Sequence, residues 1–333
     1  MAAREFPFQQ LIVIGGTGQT GHRVLELAVE FSNARLVATS RKATVDSGCA
    51  LPDGPLAATV MQDAKKWGAK VKWCALDLEA DTPALLRALE LLAANLMTGK
   101  RTALVFASAF TNVEACEADA RFCERVNERN TAAVLKWARD RFGATLVFFS
   151  SDYVFDGVAG PYVENAPRAP LSVYGRSKAF IEEWLENNAP ASLIIRTTGV
   201  YDYLPGSKNF LMQMLAAWGQ GKPTPVPNDQ LANPVWAHDL ARATLELLGR
   251  SCRGVYNVAG ATRLVRADFA GMIAKVFGLD SALVQPIETK ALGQKALRPL
   301  DGGLVCDKLK SELGWAPAGA AEVLESLKWL YTR

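Results

Sequence analysis

Tyr174 and Lys178 stand four residues apart, a spacing that puts both side chains on one face of a helix and lets an ammonium reach toward a phenol. Free tyrosine titrates near ~10, and a nearby cation stabilises the phenolate, so the pair is expected to act as an acid or base tuned toward neutral pH. Ser151 precedes Tyr174 by twenty-three residues and ends the apolar run TLVFFSS, which would leave its hydroxyl at the carboxyl end of a strand and facing the same cleft. Taken singly, each feature is common: a Tyr-x-x-x-Lys match arises by chance, and a serine at a strand end is readily a cap. Together they supply a proton donor, a hydrogen bond to an oxygen, and a fixed positive charge.

A second motif gives that set something to act with. The segment LIVIGGTGQTG runs an apolar strand directly into Gly15, Gly18 and Gly21. Gly15 permits the sharp turn, Gly18 lets backbone approach a pyrophosphate, and Gly21 lets the next helix pack close with its N-terminal amides toward the anion. Thr17, Gln19 and Thr20 fill the same turn and join the candidate cofactor contacts. A helical pattern over 22–30 follows. The G-x-x-G-x-x-G spacing resembles the extended short-chain dehydrogenase/reductases. In a dinucleotide site the end of the second strand selects the cofactor, and here the strand over 35–39 runs into Ser40, Arg41 and Lys42 rather than an acid. A guanidinium can pair with the 2′-phosphate of NADP, so NADPH is the expected cofactor; the bland alternative is two cations in a solvated loop.

Strands and helices must alternate to hold these groups together, and the pattern does so. Helices are expected over about 56–67, 82–96 and 114–139, the last with one break, and strands over 71–78, 102–107 and 144–150. The expected fold is α/β: a doubly wound, Rossmann-type parallel sheet buried on both faces, with a smaller C-terminal substrate-binding part. Ligands on such sheets bind beyond the carboxyl ends of the strands. Asp77 and Leu78 end the third strand, where the resemblance to extended short-chain dehydrogenase/reductases implies contact with the adenine, although a cap of the following turn explains Asp77 equally well. Ala107, Ser108 and Ala109 should let backbone pass close to the cofactor. Residues 1–170 are read as mainly the cofactor domain, completed by 171–203 and 235–260, with 204–234 and 261–333 forming the substrate side.

Composition limits the remaining classes. The 333 residues can bury a substantial core, and a net charge of +3 indicates no nucleic-acid partner. No apolar run reaches membrane-spanning length, and MAAREFPFQQ does not read as a signal peptide, so a cytoplasmic protein is expected. Six dispersed cysteines and two histidines offer no metal-ligand spacing; Cys116 and Cys123, seven apart, read as free thiols.

The segments SSDYVFDG, PLSVYGRSK, NDQLANPVWAHDLA and LRPLDGGLVCDKLKSELGW resemble the dTDP-4-dehydrorhamnose reductases over nearly the whole chain. The resemblance implies NADPH-dependent reduction of the 4-keto group of a nucleotide-linked 6-deoxyhexose. Ser151, Tyr174 and Lys178 take the catalytic positions, with Lys178 on the cofactor ribose. It also implies substrate contacts from Ser151, Asp152, Tyr153 and Asn209, and an arginine, Arg298, able to bind substrate phosphate or else engaged in a surface salt bridge. Asn127 falls where related enzymes use asparagine for a water or backbone contact. The implied partner is a small-molecule nucleotide sugar, with a homodimer left open. Val235 after Pro234 and the segment TTGVYDY depart from the family pattern, which leaves the sugar itself open. Two competing readings remain. One is a nucleotide-sugar epimerase or 4,6-dehydratase, the latter disfavoured because Asp152 is followed by Tyr153 rather than glutamate. The other is a non-catalytic regulatory subunit resembling the β subunit of methionine adenosyltransferase.

Overall fold

The structure, a computed structural model, describes residues 6–41, 62–63 and 65–331. Lys42 and most of the helix expected over 56–67 lie outside the described residues. The first half runs β1 (Gln10–Ile14), α1 (Gln19–Phe31), β2 (Arg35–Ser40), β3 (Val71–Ala75), α2 (Thr82–Ala93) and β4 (Thr102–Phe106). It continues through α3 (Val113–Ala118), α4 (Ala120–Glu124), a π-helical turn at Arg125–Asn130, α5 (Thr131–Phe142) and β5 (Thr145–Ser151). After α6 (Val173–Asn188) and β6 (Leu193–Thr197) come α7 (Phe210–Trp218), β7 (Thr224–Pro227), β8 (Leu231–Ala232) and α8 (Ala237–Gly249). The chain closes with β9 (Gly254–Asn257), β10 (Leu264–Val265), α9 (Arg266–Phe277), β11 (Val284–Ile287), α10 (Asp307–Leu313) and α11 (Ala320–Tyr331).

Seven strands form one sheet in the order β3-β2-β1-β4-β5-β6-β9, and every pairing in it is parallel. The order reverses direction beside β1, which places a crevice over the carboxyl ends of β1 and β4. Alternate residues of each strand supply opposite faces. Leu11 and Val13 pack with Val24, Leu25 and Leu240 beneath α1 and α8, whereas Ile12 and Ile14 pack with Leu85, Leu135 and Ile181 beneath α2, α5 and α6. Both faces are dry, and each fully buried Leu or Ile contributes roughly 1.5–3 kcal/mol.

β3 ends at Ala75 rather than at residue 78 because its partner β2 ends at Ser40: Leu76 N makes the last bond across the pair, to Ser40 O, and the chain then turns. The helix expected over 114–139 is broken at Asp119, whose carboxylate accepts Phe122 N and starts α4, and is then widened by the π turn. A separate core of Leu211, Trp218, Phe269, Ile273, Val323 and Leu324 joins α7, α9 and α11. Two small sheets, parallel β7–β11 and antiparallel β8–β10, brace it. Arg23 on α1 ties this half to the sheet through the fully buried Asp202, with Nε–Oδ2 2.6 Å and Nη2–Oδ1 3.1 Å. No helix among the described residues is long and apolar enough to cross a membrane.

Candidate active site and cofactor cleft

The glycine turn is fixed by close approaches that only glycine allows. Gly15 has φ +82°, and a Cβ there would meet Ser108 Cβ at 2.8 Å. A Cβ on Gly21 would stand 2.3 Å from Gly15 O. From β2, Thr39 orients the turn by accepting Gly15 N at Oγ1 (3.1 Å) and Gly16 N at its carbonyl (2.9 Å). Gly18 caps α1 without a side-chain hydrogen bond, and the first turn holds no acid. The leading amides and the positive helix end are therefore left to a ligand anion, the fit expected of a dinucleotide diphosphate.

A cleft of about 580 Å³ runs from this turn to α6. Gly15, Thr17, Gly18, Gln19 and Thr20 line its middle; Arg41, Asp77 and Leu78 line one end; Ala107, Ser108 and Ala109 form the wall from β4; and Tyr174 and Lys178 close the far end with Ser150 and Thr197. Gly21 is not in the lining and serves the helix–turn contact. Asp77 makes the turn that was its alternative explanation, accepting Glu79 N at 2.9 Å, while still bordering the cleft. Arg41 Nη1 lies 2.7 Å from Glu79 Oε1, with both side chains exposed. Such a pair is worth about 0–1 kcal/mol, so the guanidinium is free to exchange Glu79 for a phosphate.

Ser172 starts α6 by accepting Gly175 N at 3.1 Å. A Cβ on Gly175 would lie 2.2 Å from Tyr153 O, so this helix must begin against the segment that follows β5. That approach sets the Tyr174 and Tyr153 rings edge to face, 5.8 Å between centroids. One turn on, Lys178 Nζ donates to Phe149 O at 2.9 Å and stands 5.7 Å from the Tyr174 ring centroid. Burial pushes the Lys178 ammonium down to about 8, against the opposing pull of Glu182. The tyrosine departs from the expectation. Its phenol is shifted up, by burial first and then by Tyr153 and Asp152, while Lys178 gives its hydrogen bond to a carbonyl rather than to the phenol. Tyr174 is thus held firmly protonated.

Ser151 adjoins the lining rather than forming it. Its hydroxyl accepts Tyr153 N at 3.2 Å and donates to Asp152 Oδ1 at 3.1 Å. Asp152 is buried, takes a second hydrogen bond from Thr198 Oγ1 at 2.6 Å, and is shifted up because burial outweighs both. Asn127, carried by the π turn, bonds both ways with Phe110: Phe110 N to Oδ1 at 2.8 Å and Nδ2 to Phe110 O at 2.9 Å. This fixes the backbone at the edge of the cleft. Asn209 caps α7 and donates to Gln19 Oε1 at 2.7 Å and Asp202 O at 2.9 Å; its amide links the glycine turn to the second half, and the residue borders the cleft. Arg298 is likewise occupied, by Tyr153 Oη (2.9 Å), Gln294 Oε1 (2.6 Å) and Glu114 Oε1 (3.3 Å). Sequence reasoning missed Thr39, Ser150, Thr197 and Lys208 as cleft residues. A hydroxyl residue ending a parallel strand is the signal that could have found the first three. Among the described residues, no group of three or more His, Cys, Asp or Glu is placed to hold a metal.

Known proteins resemble this chain in sequence and in fold. A dTDP-4-dehydrorhamnose reductase of Burkholderia thailandensis is 31% identical over 242 residues, covering 68% of this chain and 80% of its own. A probable low-salt glycan biosynthesis reductase of Haloferax volcanii is 31% identical over 228 residues, covering 66% and 75%. The fold matches that of a Bacillus anthracis dTDP-4-dehydrorhamnose reductase solved in complex with NADP, with a TM-score of 0.75 at 21% identity over 96% of this chain and 98% of that one. The profile described as the RmlD substrate binding domain matches residues 9–331, and the chain belongs to that family.

Proposed function

We propose that the protein is an NADPH-dependent oxidoreductase that reduces the 4-keto group of a nucleotide-linked 6-deoxyhexose. The observation that carries this reading is the convergence of Tyr174 and Lys178 on the cleft that begins at the glycine turn. The dTDP-4-dehydrorhamnose reductase and glycan biosynthesis reductase among its relatives support it. NADPH bound in the cleft supplies a hydride to the carbonyl carbon.

The chain's own residues supply the rest. A carbonyl oxygen that gains negative charge needs a proton donor already in place, and a phenol held up by burial keeps its proton until that charge develops. Ser151 provides a hydrogen bond to the same oxygen by turning its hydroxyl away from Asp152. Lys178, anchored on Phe149 O, keeps a positive charge beneath the Tyr174 ring and stabilises the phenolate left after proton transfer. Arg41, at the end of β2, fits the 2′-phosphate that distinguishes NADPH from NADH.

The test is direct. Purified protein mixed with NADPH and a dTDP-4-keto-6-deoxyhexose should consume one equivalent of NADPH per sugar reduced, followed by the loss of nicotinamide absorbance. Product formation with no net NADPH loss would instead establish an epimerase.

A further inference from the structure

Two free thiols lie behind the catalytic end of the cleft and take no part in the mechanism above. Cys116 on α3 and Cys123 on α4 are fully buried, and their sulfurs stand 2.9 Å apart. A disulfide bond is about 2.05 Å long, so a movement of under about 1 Å would join them. The helices that carry them suit such a movement: α3 has six residues, α4 has five, and Asp119 between them is non-helical, with φ −135° and ψ 81°. Elements this short open locally at low cost, which is also how a small oxidant reaches a buried pair.

The pair is tied to the groups that do the chemistry. Cys116 Sγ donates to Phe110 O at 3.5 Å, and Phe110 borders the cleft. Cys123 Sγ accepts Asn127 Nδ2 at 3.4 Å; the same nitrogen lies 3.4 Å from Ser177 Oγ, and that hydroxyl donates to Tyr174 O at 2.8 Å. Cys116, Cys123 and Val173 form one small buried cluster, with Phe110 and Tyr174 packed against it.

We propose that Cys116 and Cys123 are a peroxide-sensitive dithiol whose closure to a disulfide displaces Tyr174 and slows turnover. The Cys123 sulfur attacks one oxygen of hydrogen peroxide, giving a sulfenic acid and releasing water. The Cys116 sulfur then displaces the hydroxyl from the Cys123 sulfur, which leaves as a second water. Two S–H bonds and one O–O bond are broken, one S–S bond and two waters are formed, and the protein gives up two electrons to the peroxide. Closure removes the hydrogen that Cys116 gives to Phe110 O and draws α3 and α4 together beside the first turn of α6. A reacting group misplaced by about 1 Å costs up to about 10²-fold in rate. The bond itself is independent of the reductase reading; its effect on turnover rests on it.

The experiment treats wild type, Cys116→Ser and Cys123→Ser with hydrogen peroxide, blocks remaining thiols with N-ethylmaleimide after unfolding, and maps tryptic peptides without reductant. Trypsin cuts after Arg121, between the two cysteines, so the disulfide should appear as residues 102–121 joined to residues 122–125. With the joined peptides, kcat of the wild type should fall about 10- to 100-fold and return with dithiothreitol. Each serine variant should keep whatever turnover it shows before treatment; if one fails to fold, the other carries the comparison. Peptides that carry N-ethylmaleimide on both cysteines after treatment would overturn the site. Joined peptides with an unchanged kcat, or an equal loss in the serine variants, would overturn its action on Tyr174. A reduced wild type with no turnover would overturn the reductase reading and with it that action, while the peptide map still decides the bond.

Discussion

Replacing Glu182 by glutamine should both loosen the protein and move the pH at which it works. Glu182 is fully buried on α6, one turn beyond Lys178, and Arg196 on β6 is 2% exposed. They meet as a two-pronged pair, Nε–Oε1 2.9 Å and Nη2–Oε2 2.7 Å. Glutamine preserves the shape and removes the charge, leaving a buried guanidinium without its counter-ion. Breaking such a pair costs about 3–5 kcal/mol, which at about 2 °C per kcal/mol for a chain of this size corresponds to a fall of roughly 6–10 °C in Tm. The same carboxylate is the largest influence raising Lys178 against burial. Its removal lets the ammonium titrate below about 8, so the alkaline fall of kcat/KM for NADPH should begin at lower pH than in wild type. Arg168→Gln is the control: that side chain also touches Glu182, at 3.1 Å, but is 26% exposed and shared with Glu186, so its loss should cost about 1 kcal/mol or less. Differential scanning calorimetry and a pH–rate profile read the two effects. A Glu182→Gln protein that melts within about 2 °C of wild type, or keeps the wild-type alkaline limb, would refute the reasoning.

Other outcomes follow from the same geometry. Tyr174→Phe should lower kcat by about 10²–10⁴-fold while fluorescence titration shows NADPH binding intact; undiminished turnover would remove Tyr174 from the mechanism. In the wild type, kcat/KM for NADPH should fall as pH rises through about 8 with loss of the Lys178 proton. The phenol should add no alkaline limb near its ordinary value, because it is shifted upward; a second limb at the ordinary tyrosine value would contradict that. Arg41→Ala should raise KM for NADPH about tenfold with little change for NADH, and equal effects on both cofactors would place Arg41 outside the 2′-phosphate site. Gly21→Ala should abolish cofactor binding, since the added methyl would lie 2.3 Å from Gly15 O; measurable affinity in a dye-displacement assay would show that the turn can relax.

Much of the fold was legible because it is local. An apolar strand entering three spaced glycines can be read without tertiary information, as can the alternation that builds a parallel sheet. Ser151, Tyr174 and Lys178 were legible as residue types and spacing. What they do electrostatically was not. The upward shift of Tyr174 comes from burial and from Tyr153 and Asp152, which only the fold brings to it, and the Lys178 ammonium donates to Phe149 O, twenty-nine residues away. Arg298 shows the same limit: motif resemblance marks it, while only the folded arrangement shows that it is engaged by Tyr153, Gln294 and Glu114. The π turn was also invisible, because a helix widened by one residue keeps a helical apolar pattern; its effect, the two-way bond between Asn127 and Phe110, appears only in space.

The segment after β5 and the loop before α10 are locked together by absent side chains. A Cβ on Gly157 would lie 2.3 Å from Pro299 Cα, and one on Gly160 would lie 2.3 Å from Asp301 O. Asp301 N and Leu231 N bond to Gly157 O and Leu300 O in the same region. The loop holding Asp152 and Tyr153 is therefore backed by chain made almost 150 residues later. During synthesis, a polypeptide that has emerged only as far as β9 has all seven strands of the main sheet and the glycine turn after β1, yet lacks the wall behind its reacting groups. Dinucleotide affinity should thus arise earlier in the life of the molecule than turnover.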